Sequence, residues 1–436
     1  GSHSQRWPAM HSHEWLQRRG RALVALALAL TMSLTVLSTS GVLGTPLQSA
    51  GSMMARRLPG ARSPRVSRRN AIVPCAMKYN KLGNSDLMVS EVCLGTMTWG
   101  EQNTEDEGVE QLRTAFDDMG INFLDTAEAY PIPLKAETQG RTDRTIARWM
   151  KESNIARDKV VLATKVCGNS DGLTWFRKNG EGTKVSYDQI IESVDASLER
   201  LNTDYIDLLQ IHWPDRYVPL FGANRYKIGE ERDSIPFEEQ VRAMGDLIKQ
   251  GKIRYWGLSN ETPYGTMMMV KAAEKLGVPP PVSIQNSYSL LVREFESGLT
   301  EVCSPRHENI GLLAYSPLAG GVLTEKYEKG LAKDNSRLNL LPGYKDRYDG
   351  SMAPAAVASY AEIARKYDMS PAEFALLFCK SRPFVPSTII GATTMEQLRE
   401  NVEAFNKEWT AEMEADVEEV AKKFPEPWRT PQRGGG

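Results

Sequence analysis

From residue 88 onward, hydrophobic and polar positions alternate along the chain in two ways. Short apolar runs bounded by turn residues alternate with longer segments in which apolar residues recur every three or four positions. The first pattern is typical of buried strands and the second of amphipathic helices. Strands are predicted at 92–95, 122–125, 160–164, 205–211, 253–257, 282–285, 311–315 and 388–390. Helices are predicted at 104–119, 141–152, 188–201, 237–250, 263–276, 294–304, 354–367 and 394–407.

Eight strand–helix units in about 300 residues predict an α/β fold, a (β/α)8 TIM barrel. Ahead of the first unit, 79–82 and 88–90 flank a turn signal, Asn84-Ser85-Asp86, and predict an N-terminal β-hairpin that plugs the barrel. Three connections are long: 167–187, 213–236 and 324–351. Each follows a strand and so belongs to the C-terminal face, where TIM barrels carry active sites. We interpret these loops as walls of a substrate site.

Residues 1–77 differ in composition from the rest. They contain ten Arg, ten Ser, no Lys and one acidic residue, Glu14. Basic residues before a 16-residue apolar run make 17–40 signal-like, because a membrane span needs about 20 apolar residues. The Arg- and Ser-rich stretch 51–77 contains no acid, as is typical of transit peptides. We therefore predict a targeting leader at 1–77 that is disordered or removed, a barrel at 78–425 and a flexible tail at 426–436.

The order of the two leader segments predicts delivery to a plastid (chloroplast), through a bipartite presequence. A translation start near Met53 or Met54 would instead leave an ordinary transit peptide. The protein could also be membrane-anchored, or cytoplasmic if the leader is an artefact of the start site. No stable membrane span is predicted in the mature protein.

The charge of the remaining chain narrows the choice of partners. Without the leader, residues 78–436 carry 43 basic and 54 acidic side chains, a net charge of −11. Nucleic acids and anionic membranes attract positively charged surfaces, so we expect no nucleic-acid partner. The cysteines are widely spaced without a C-x-x-C pair, and no metal site is predicted.

Ionisable side chains end three successive predicted strands. Asp125 ends the second strand and Tyr130 follows five residues later; Lys165 ends the third strand and His212 the fourth. A phenol with a pKa of about 10 is a poor acid at neutral pH. A neighbouring ammonium lowers that pKa, a carboxylate holds the ammonium, and an imidazole can orient a carbonyl oxygen. Each residue alone has an ordinary structural interpretation, but four on one rim predict a catalytic cluster.

The segment around Asp125 resembles a known signature. Residues 120–130 read GINFLDTAEAY, which looks like the signature segment of the aldo-keto reductases, and that family's Asp, Tyr, Lys and His tetrad falls on Asp125, Tyr130, Lys165 and His212. Segments 95–103 and 285–291 and the insertion 131–142 resemble the Tas-type NADP(H)-dependent reductases of bacteria. The resemblance covers 77–425. It implies reduction of aldehydes or ketones to alcohols, with Tyr130 as proton donor.

The cofactor implied by the resemblance is NADPH, held across the barrel mouth. No G-x-G-x-x-G motif joins a strand to a helix, so a Rossmann mode is not supported. The implied cofactor-binding positions are Gly95, Thr96, Met97, Asp125, Ser259, Asn260, Gln285, Tyr315, Ser316, Pro317, Leu318, Gly320, Lys326, Arg337, Gly391, Thr393, Gln397, Glu400 and Asn401. The preference for NADPH over NADH rests on Lys326 and Arg337, because a guanidinium binds phosphate oxygens bidentately. The alternative that both are solvated loop side chains without a role in binding stays open.

Aromatic residues in or beside the rim loops predict an apolar pocket for a small carbonyl substrate. The chosen residues are Trp99, Trp213 and Tyr217; Trp175, Phe176, Phe221 and Trp256 are pocket or core candidates. Two further functions stay open. One is an NADPH-binding regulatory module resembling potassium-channel β-subunits, with little turnover; the second is a lyase or isomerase that uses Lys165 as a Schiff-base amine. The protein is either a monomer or a homo-oligomer.

Overall fold

The computed structural model describes residues 77–223, 225–341, 347–348 and 351–429. Apart from Met77, the predicted leader lies outside the described residues, and so do its signal-like and transit-like segments. Within the described ranges, none of the helices combines the length and the hydrophobicity that a membrane span requires.

Eight parallel strands close into a barrel in which the last strand pairs with the first. The strands are β3 Val92–Gly95, β4 Phe123–Asp125, β5 Val161–Val166, β6 Ile206–Ile211, β7 Ile253–Ser259, β8 Ser283–Ser287, β9 Gly311–Tyr315 and β10 Ser387–Ile390. All eight predicted strands are confirmed, with ends that move by at most two residues. The TIM-barrel prediction is therefore confirmed.

A hairpin closes the lower end of the barrel. It consists of β1 Tyr79–Lys81 and β2 Met88–Ser90, which pair antiparallel. The side chains of Leu82, Leu87 and Val89 are at most 2% exposed and join the interior cluster formed by the barrel strands. The hairpin thus contributes the apolar floor of the barrel, as the sequence predicted.

Helices surround the barrel and bury their apolar faces against it. Those in the described residues are α1 Glu105–Arg113, α2 Arg141–Ser153, α3 Tyr187–Leu201, α4 Phe237–Lys249, α5 Pro263–Leu276, α6 Leu299–Cys303, α7 Arg337–Leu340, α8 Ala353–Lys366, α9 Pro371–Lys380, α10 Met395–Glu403 and α11 Ala411–Lys423. A π-helical turn, Thr114–Asp118, continues α1. The helix predicted at 294–304 is wrong in its length. A 3-10 turn at Glu294–Ser297 and the short α6 replace it, because Gly298 leaves the helical conformation.

The prediction for the last third of the barrel needs a second correction. The helix predicted at 354–367 is α8, which packs on the C-terminal helix α11. The helix that packs on strand β10 is α9, and the sequence analysis did not predict it. Helix α9 is apolar on most sides and buried from Phe374 to Cys379, so it lacks the amphipathic pattern. A capping box of Ser370 and Glu373 marks its start and was a usable sequence signal.

The flexible tail predicted at 426–436 begins too early. Trp428 is 8% exposed and belongs to the main hydrophobic cluster, and Arg429 forms an ion pair with Glu294. A large apolar ring gains free energy by leaving water, which holds this segment on the barrel. The remainder of the tail lies outside the described residues.

Candidate active site

A cavity of about 1050 Å³ opens at the C-terminal ends of the barrel strands. Pockets for small ligands usually measure roughly 300–1000 Å³, so this one has room for an extended ligand. Residues from all three long connections line it, including Asn169, Leu220 and Lys326. Gln102 reaches across the mouth from the loop after β3 and donates a hydrogen bond to the carbonyl oxygen of Asn335.

The four residues of the predicted tetrad lie together at the base of this cavity. The Lys165 side chain is fully buried, and its Nζ lies 2.7 Å from Oδ2 of Asp125. The same Nζ donates to the carbonyl oxygen of Thr126 at 2.8 Å and to Oη of Tyr130 at 3.4 Å. The three hydrogens of the ammonium are thus matched by three acceptors, one of which is the Tyr130 phenol.

His212 faces Tyr130 in the cavity. The centroids of their rings lie 5.8 Å apart in an edge-to-face arrangement. Burial lowers the pKa of His212 well below its usual value of 6.5, and the nearby Lys165 ammonium adds to this effect. Its Nδ1 has no hydrogen-bond partner among the described residues. The imidazole is therefore neutral at pH 7 and can offer one N–H to a ligand.

A buried ion pair fixes the loop that carries Tyr130. Glu128 lies between Asp125 and Tyr130 and receives hydrogen bonds from both terminal nitrogens of Arg177, at 2.8 and 2.9 Å. Its carboxylate also accepts the backbone N–H of Cys167. Although burial opposes ionisation, the hydrogen bonds and charge of Arg177 lower the pKa of Glu128. Glu128 therefore joins the Tyr130 loop to the connection 167–187. Sequence reasoning did not find this pair.

Two other groups were also missed. Arg216 makes a bidentate pair with Glu261 and so holds the loop after β6 against the loop after β7. Gln210 is fully buried between Asp125 and Gln285. The only signal for Gln210 was its polar side chain in the predicted strand 205–211, which is mainly apolar but also contains Asp207.

Amide side chains surround the space above Asp125. Nε2 of Gln285 donates to Oδ1 of Asp125 at 2.7 Å. The Asn260 amide donates to the carbonyl oxygen of His212 at 2.8 Å and accepts from Oη of Tyr315 at 2.6 Å. Ser259 accepts a second hydrogen from Asn260. These bonds fix each amide orientation at the mouth of the barrel.

Every position in the implied cofactor-binding set lines the cavity. At one end, Tyr315 is followed by a turn whose backbone is left-handed at Ser316, Ala319 and Gly320. At the other, Gln397 in the first turn of α10 accepts hydrogen bonds from the backbone and hydroxyl of Thr393. The N-terminus of a helix favours anionic groups, so α10 suits a phosphate-bearing ligand.

Two cations lie close together in this part of the cavity. Burial lowers the pKa of Lys326, and the charge of Arg337 lowers it further. Nζ of Lys326 has no ion pair with an acidic side chain among the described residues, although it lies 5.2 Å from the ring centroid of Tyr327. Like charges repel each other, and an anion bound near both side chains would reduce that repulsion.

The substrate side of the cavity is mainly apolar. Trp213, Leu173, Leu220, Phe221 and Ile132 line it. Trp213 is fixed by a hydrogen bond from its indole nitrogen to the carbonyl oxygen of Asn169, at 3.0 Å. Trp213, one of the residues predicted for the pocket, therefore lies in the cavity wall.

Two residues chosen for the pocket do not line it. Trp99 is fully buried in the cluster between barrel and helices, and its indole donates to Gln111, so it is a core residue. The Tyr217 ring packs on Tyr226, with centroids 5.2 Å apart, instead of on the cavity. Trp256 is likewise core, while Trp175 is 39% exposed and packs on Phe176.

Comparison with known proteins gives consistent similarities. Residues 91–422 match the model of the aldo/keto reductase family. The protein Tas of Escherichia coli K12 is 41% identical over 355 residues, which span 80% of this chain and 99% of Tas. An aldo-keto reductase of Babesia bovis is 48% identical over 256 residues, covering 56% of this chain and 88% of that protein. A probable voltage-gated potassium channel subunit β of Arabidopsis thaliana is 32% identical over 335 residues, covering 76% and 92%.

Proposed function

The chain belongs to the aldo/keto reductase family, and from that premise we propose that it is an NADPH-dependent oxidoreductase that reduces aldehydes or ketones to alcohols. The observation that carries the proposal is the contact of the Lys165 ammonium with both Asp125 and Tyr130 at the base of the cavity. An ordinary structural ion pair does not require a phenol at the cavity surface. Proton donation to the carbonyl oxygen of a bound substrate does require a phenol in that position.

The described residues fit the proposed cofactor. Gln285 and Ser259 supply polar groups suited to a carboxamide, and the Tyr315 ring supplies a surface for stacking. The first turn of α10 and the pair of Lys326 and Arg337 suit phosphates. When bound, NADPH supplies the hydride that reduces the carbonyl carbon.

Side chains of this protein supply the proton for the reduction and position its donor. We assign the proton donor to Tyr130, whose Oη gives its hydrogen to the carbonyl oxygen of the substrate. Lys165 stabilises the negative charge that develops on Oη of Tyr130 as the hydrogen leaves, and Asp125 holds Lys165 in place. Neutral His212 donates a hydrogen bond to the carbonyl oxygen and orients it. The apolar wall around Trp213 excludes water from the substrate.

The role of Tyr130 is tested with Tyr130→Phe. This change removes the acidic hydrogen and keeps the ring, so turnover should fall by at least about 10²-fold, since general acid catalysis contributes roughly 10²–10⁴-fold. Turnover is followed by the loss of reduced-nicotinamide absorbance with a panel of aldehydes, and NADPH binding by fluorescence titration. We expect an unchanged dissociation constant. Unchanged turnover would remove Tyr130 from the mechanism.

The choice of NADPH over NADH is tested at Arg337. Arg337→Ala removes a guanidinium from the proposed 2′-phosphate site, and a hydrogen bond to a charged group contributes about 1.5–3 kcal/mol. The dissociation constant for NADPH should rise by about tenfold or more, whereas that for NADH should barely change. Lys329→Ala is the matched control, because Lys329 pairs with Glu325 on the exposed surface. Equal losses for both cofactors would contradict this assignment.

A regulatory role is the second candidate function. It is supported by the 32% identity to the Arabidopsis protein described as a probable potassium channel subunit β. Such a role predicts saturable NADPH binding without consumption across the aldehyde panel. By contrast, the Schiff-base role of Lys165 has less support, because its side chain is buried and its ammonium donates to Asp125, Thr126 and Tyr130.

We propose, finally, that the leader delivers the protein to a plastid. Its support is compositional: a basic and apolar segment at 17–40 precedes an Arg- and Ser-rich segment at 51–77. Fusion of residues 1–77 to a fluorescent protein should direct it to plastids. Fluorescence that stays in the cytoplasm or at another membrane would contradict the proposal.

A further inference from the structure

Gln210 is one of two polar residues in a mainly apolar strand; the other, Asp207, pairs with Arg157 and Arg254. Strand β6 runs from Ile206 to Ile211, and the Gln210 side chain is fully buried. In the register of the barrel, Gln210 lies opposite Lys165 on β5. A buried amide is costly unless its donors and acceptor find partners. The partners of Gln210 therefore indicate why an amide is present here.

These partners form a closed group of Asp125, Gln210 and Gln285, which we call the amide triangle. Nε2 of Gln210 donates to Oδ1 of Asp125 at 3.4 Å, and Nε2 of Gln285 donates to the same oxygen at 2.7 Å. The second hydrogen on Nε2 of Gln285 goes to Oε1 of Gln210 at 3.2 Å. A carboxylate only accepts hydrogen bonds, so rotating either amide by 180° would place two oxygens against each other. The triangle thus allows one orientation of each amide.

The triangle faces two parts of the site. On one side, it occupies Oδ1 of Asp125, which leaves Oδ2 for the Lys165 ammonium and through it for Tyr130. On the other side, it uses both hydrogens of the Gln285 amide. Oε1 of Gln285 accepts no hydrogen bond from a described residue, and Gln285 lines the cavity. An acceptor is therefore presented to the ligand.

We propose that Gln210 is a positioning residue that couples the proton-donor side of the site to the cofactor side, an inference that rests on the proposed reductase function. Gln210 does not line the cavity, so it acts through Asp125 and Gln285. It keeps the Asp125 carboxylate turned toward Lys165. It also keeps the Gln285 acceptor turned toward the carboxamide NH₂ of a bound nicotinamide.

The test compares two substitutions of similar size. Gln210→Met removes the hydrogen bonds, so we expect kcat to fall at least about tenfold and the dissociation constant for NADPH to rise severalfold. In Gln210→Glu, a protonated carboxyl offers one donor and one acceptor, as glutamine does in the triangle. Its ionised form places a second negative charge beside Asp125. Activity and NADPH affinity of Gln210→Glu should therefore exceed those of Gln210→Met at low pH and decline toward them as the pH rises.

The ionisable groups on the neighbouring strands, Asp125 and Lys165, are common to all variants, as is His212 on β6. Normalising to the unsubstituted protein at each pH therefore isolates position 210. Thr164→Val is the matched control: Thr164 is fully buried on β5 opposite Leu209, and its hydroxyl has no partner among the described residues. It should retain kcat and NADPH affinity.

The outcomes separate this inference from the proposed function. Wild-type affinity and turnover in Gln210→Met would overturn the role of Gln210. So would identical pH dependence of NADPH affinity in Gln210→Met and Gln210→Glu. If the unsubstituted protein consumes no NADPH with any carbonyl compound, the reductase proposal fails, and the binding comparison alone then decides the role of Gln210.

Discussion

At the residue scale, the positions of the tetrad were predictable and the groups that hold them were not. Asp125, Tyr130, Lys165 and His212 lie at or just beyond the carboxyl ends of their strands, and these ends share one rim in a parallel barrel. Gln210 belongs to no motif, because its partners come from two other strands. Trp99 was misassigned because an aromatic residue near a rim loop suits a pocket wall and a core equally well.

The buried His212 makes stability depend on pH. Its folded-state pKa lies well below 6.5, so the unfolded chain takes up a proton there that the folded chain does not. The unfolded state binds more protons in this window, and stability is therefore lost as the pH falls below about 6.5, by at most about 1.4 kcal/mol per pH unit. His212→Asn lacks this contribution. Urea unfolding at about pH 5.5 and 7.5 should show the wild type losing stability relative to the variant. A constant difference would contradict the lowered pKa.

At the element scale, short apolar runs predicted the strands, whereas hydrophobic periodicity did not predict every helix. Helix α9 is so thoroughly buried that it has no polar face to reveal it, and its capping box was the better signal. The long connections were recognisable by length alone. What fixes them is tertiary: the Arg177 guanidinium from one connection is neutralised by Glu128 from another loop.

The Glu128–Arg177 pair should be strongly coupled. Both side chains are at most 2% exposed, so removing one leaves a buried charge without its partner. Glu128→Gln and Arg177→Met should each cost about 3–5 kcal/mol of unfolding free energy, and the double variant clearly less than their sum. Both single variants should also raise KM, because the Tyr130 loop loses its contact with the connection 167–187. Additive costs in urea unfolding would show that the two side chains act independently.

At the scale of the whole molecule, the fold class followed from the count of strand–helix units, but the extent of the folded body did not. Proline, glycine and polar residues at 426–436 favour a flexible tail, yet Trp428 returns to the main cluster. The members of that cluster come from elements that are far apart in the sequence, which a local sequence pattern does not show. The apolar area that this ring buries outweighs the cost of ordering the residues around it.

Trp428→Ala measures how firmly this segment is held. The ring is 8% exposed, so its removal should lower the unfolding free energy by about 3–5 kcal/mol. Trp175→Ala is the control, since that ring is 39% exposed and should change stability by less than about 1 kcal/mol. Urea unfolding of both variants is the measurement. Equal losses would mean that the segment is not part of the cooperative core.

The hairpin at the lower end of the barrel affects how ligands enter and leave the cavity. Leu82, Leu87 and Val89 fill the lower end of the barrel, so in the described residues the cavity communicates with solvent at the strand-end mouth. When two ligands bind in a cavity with one opening and one lies beneath the other, they cannot enter and leave independently. We therefore expect the ligand that reaches Gln285 to bind first and leave last, and the hydrogen bond from Gln102 to Asn335 to break before it leaves. If the ligand is the dinucleotide proposed above, we expect its departure to limit the rate of repeated turnover.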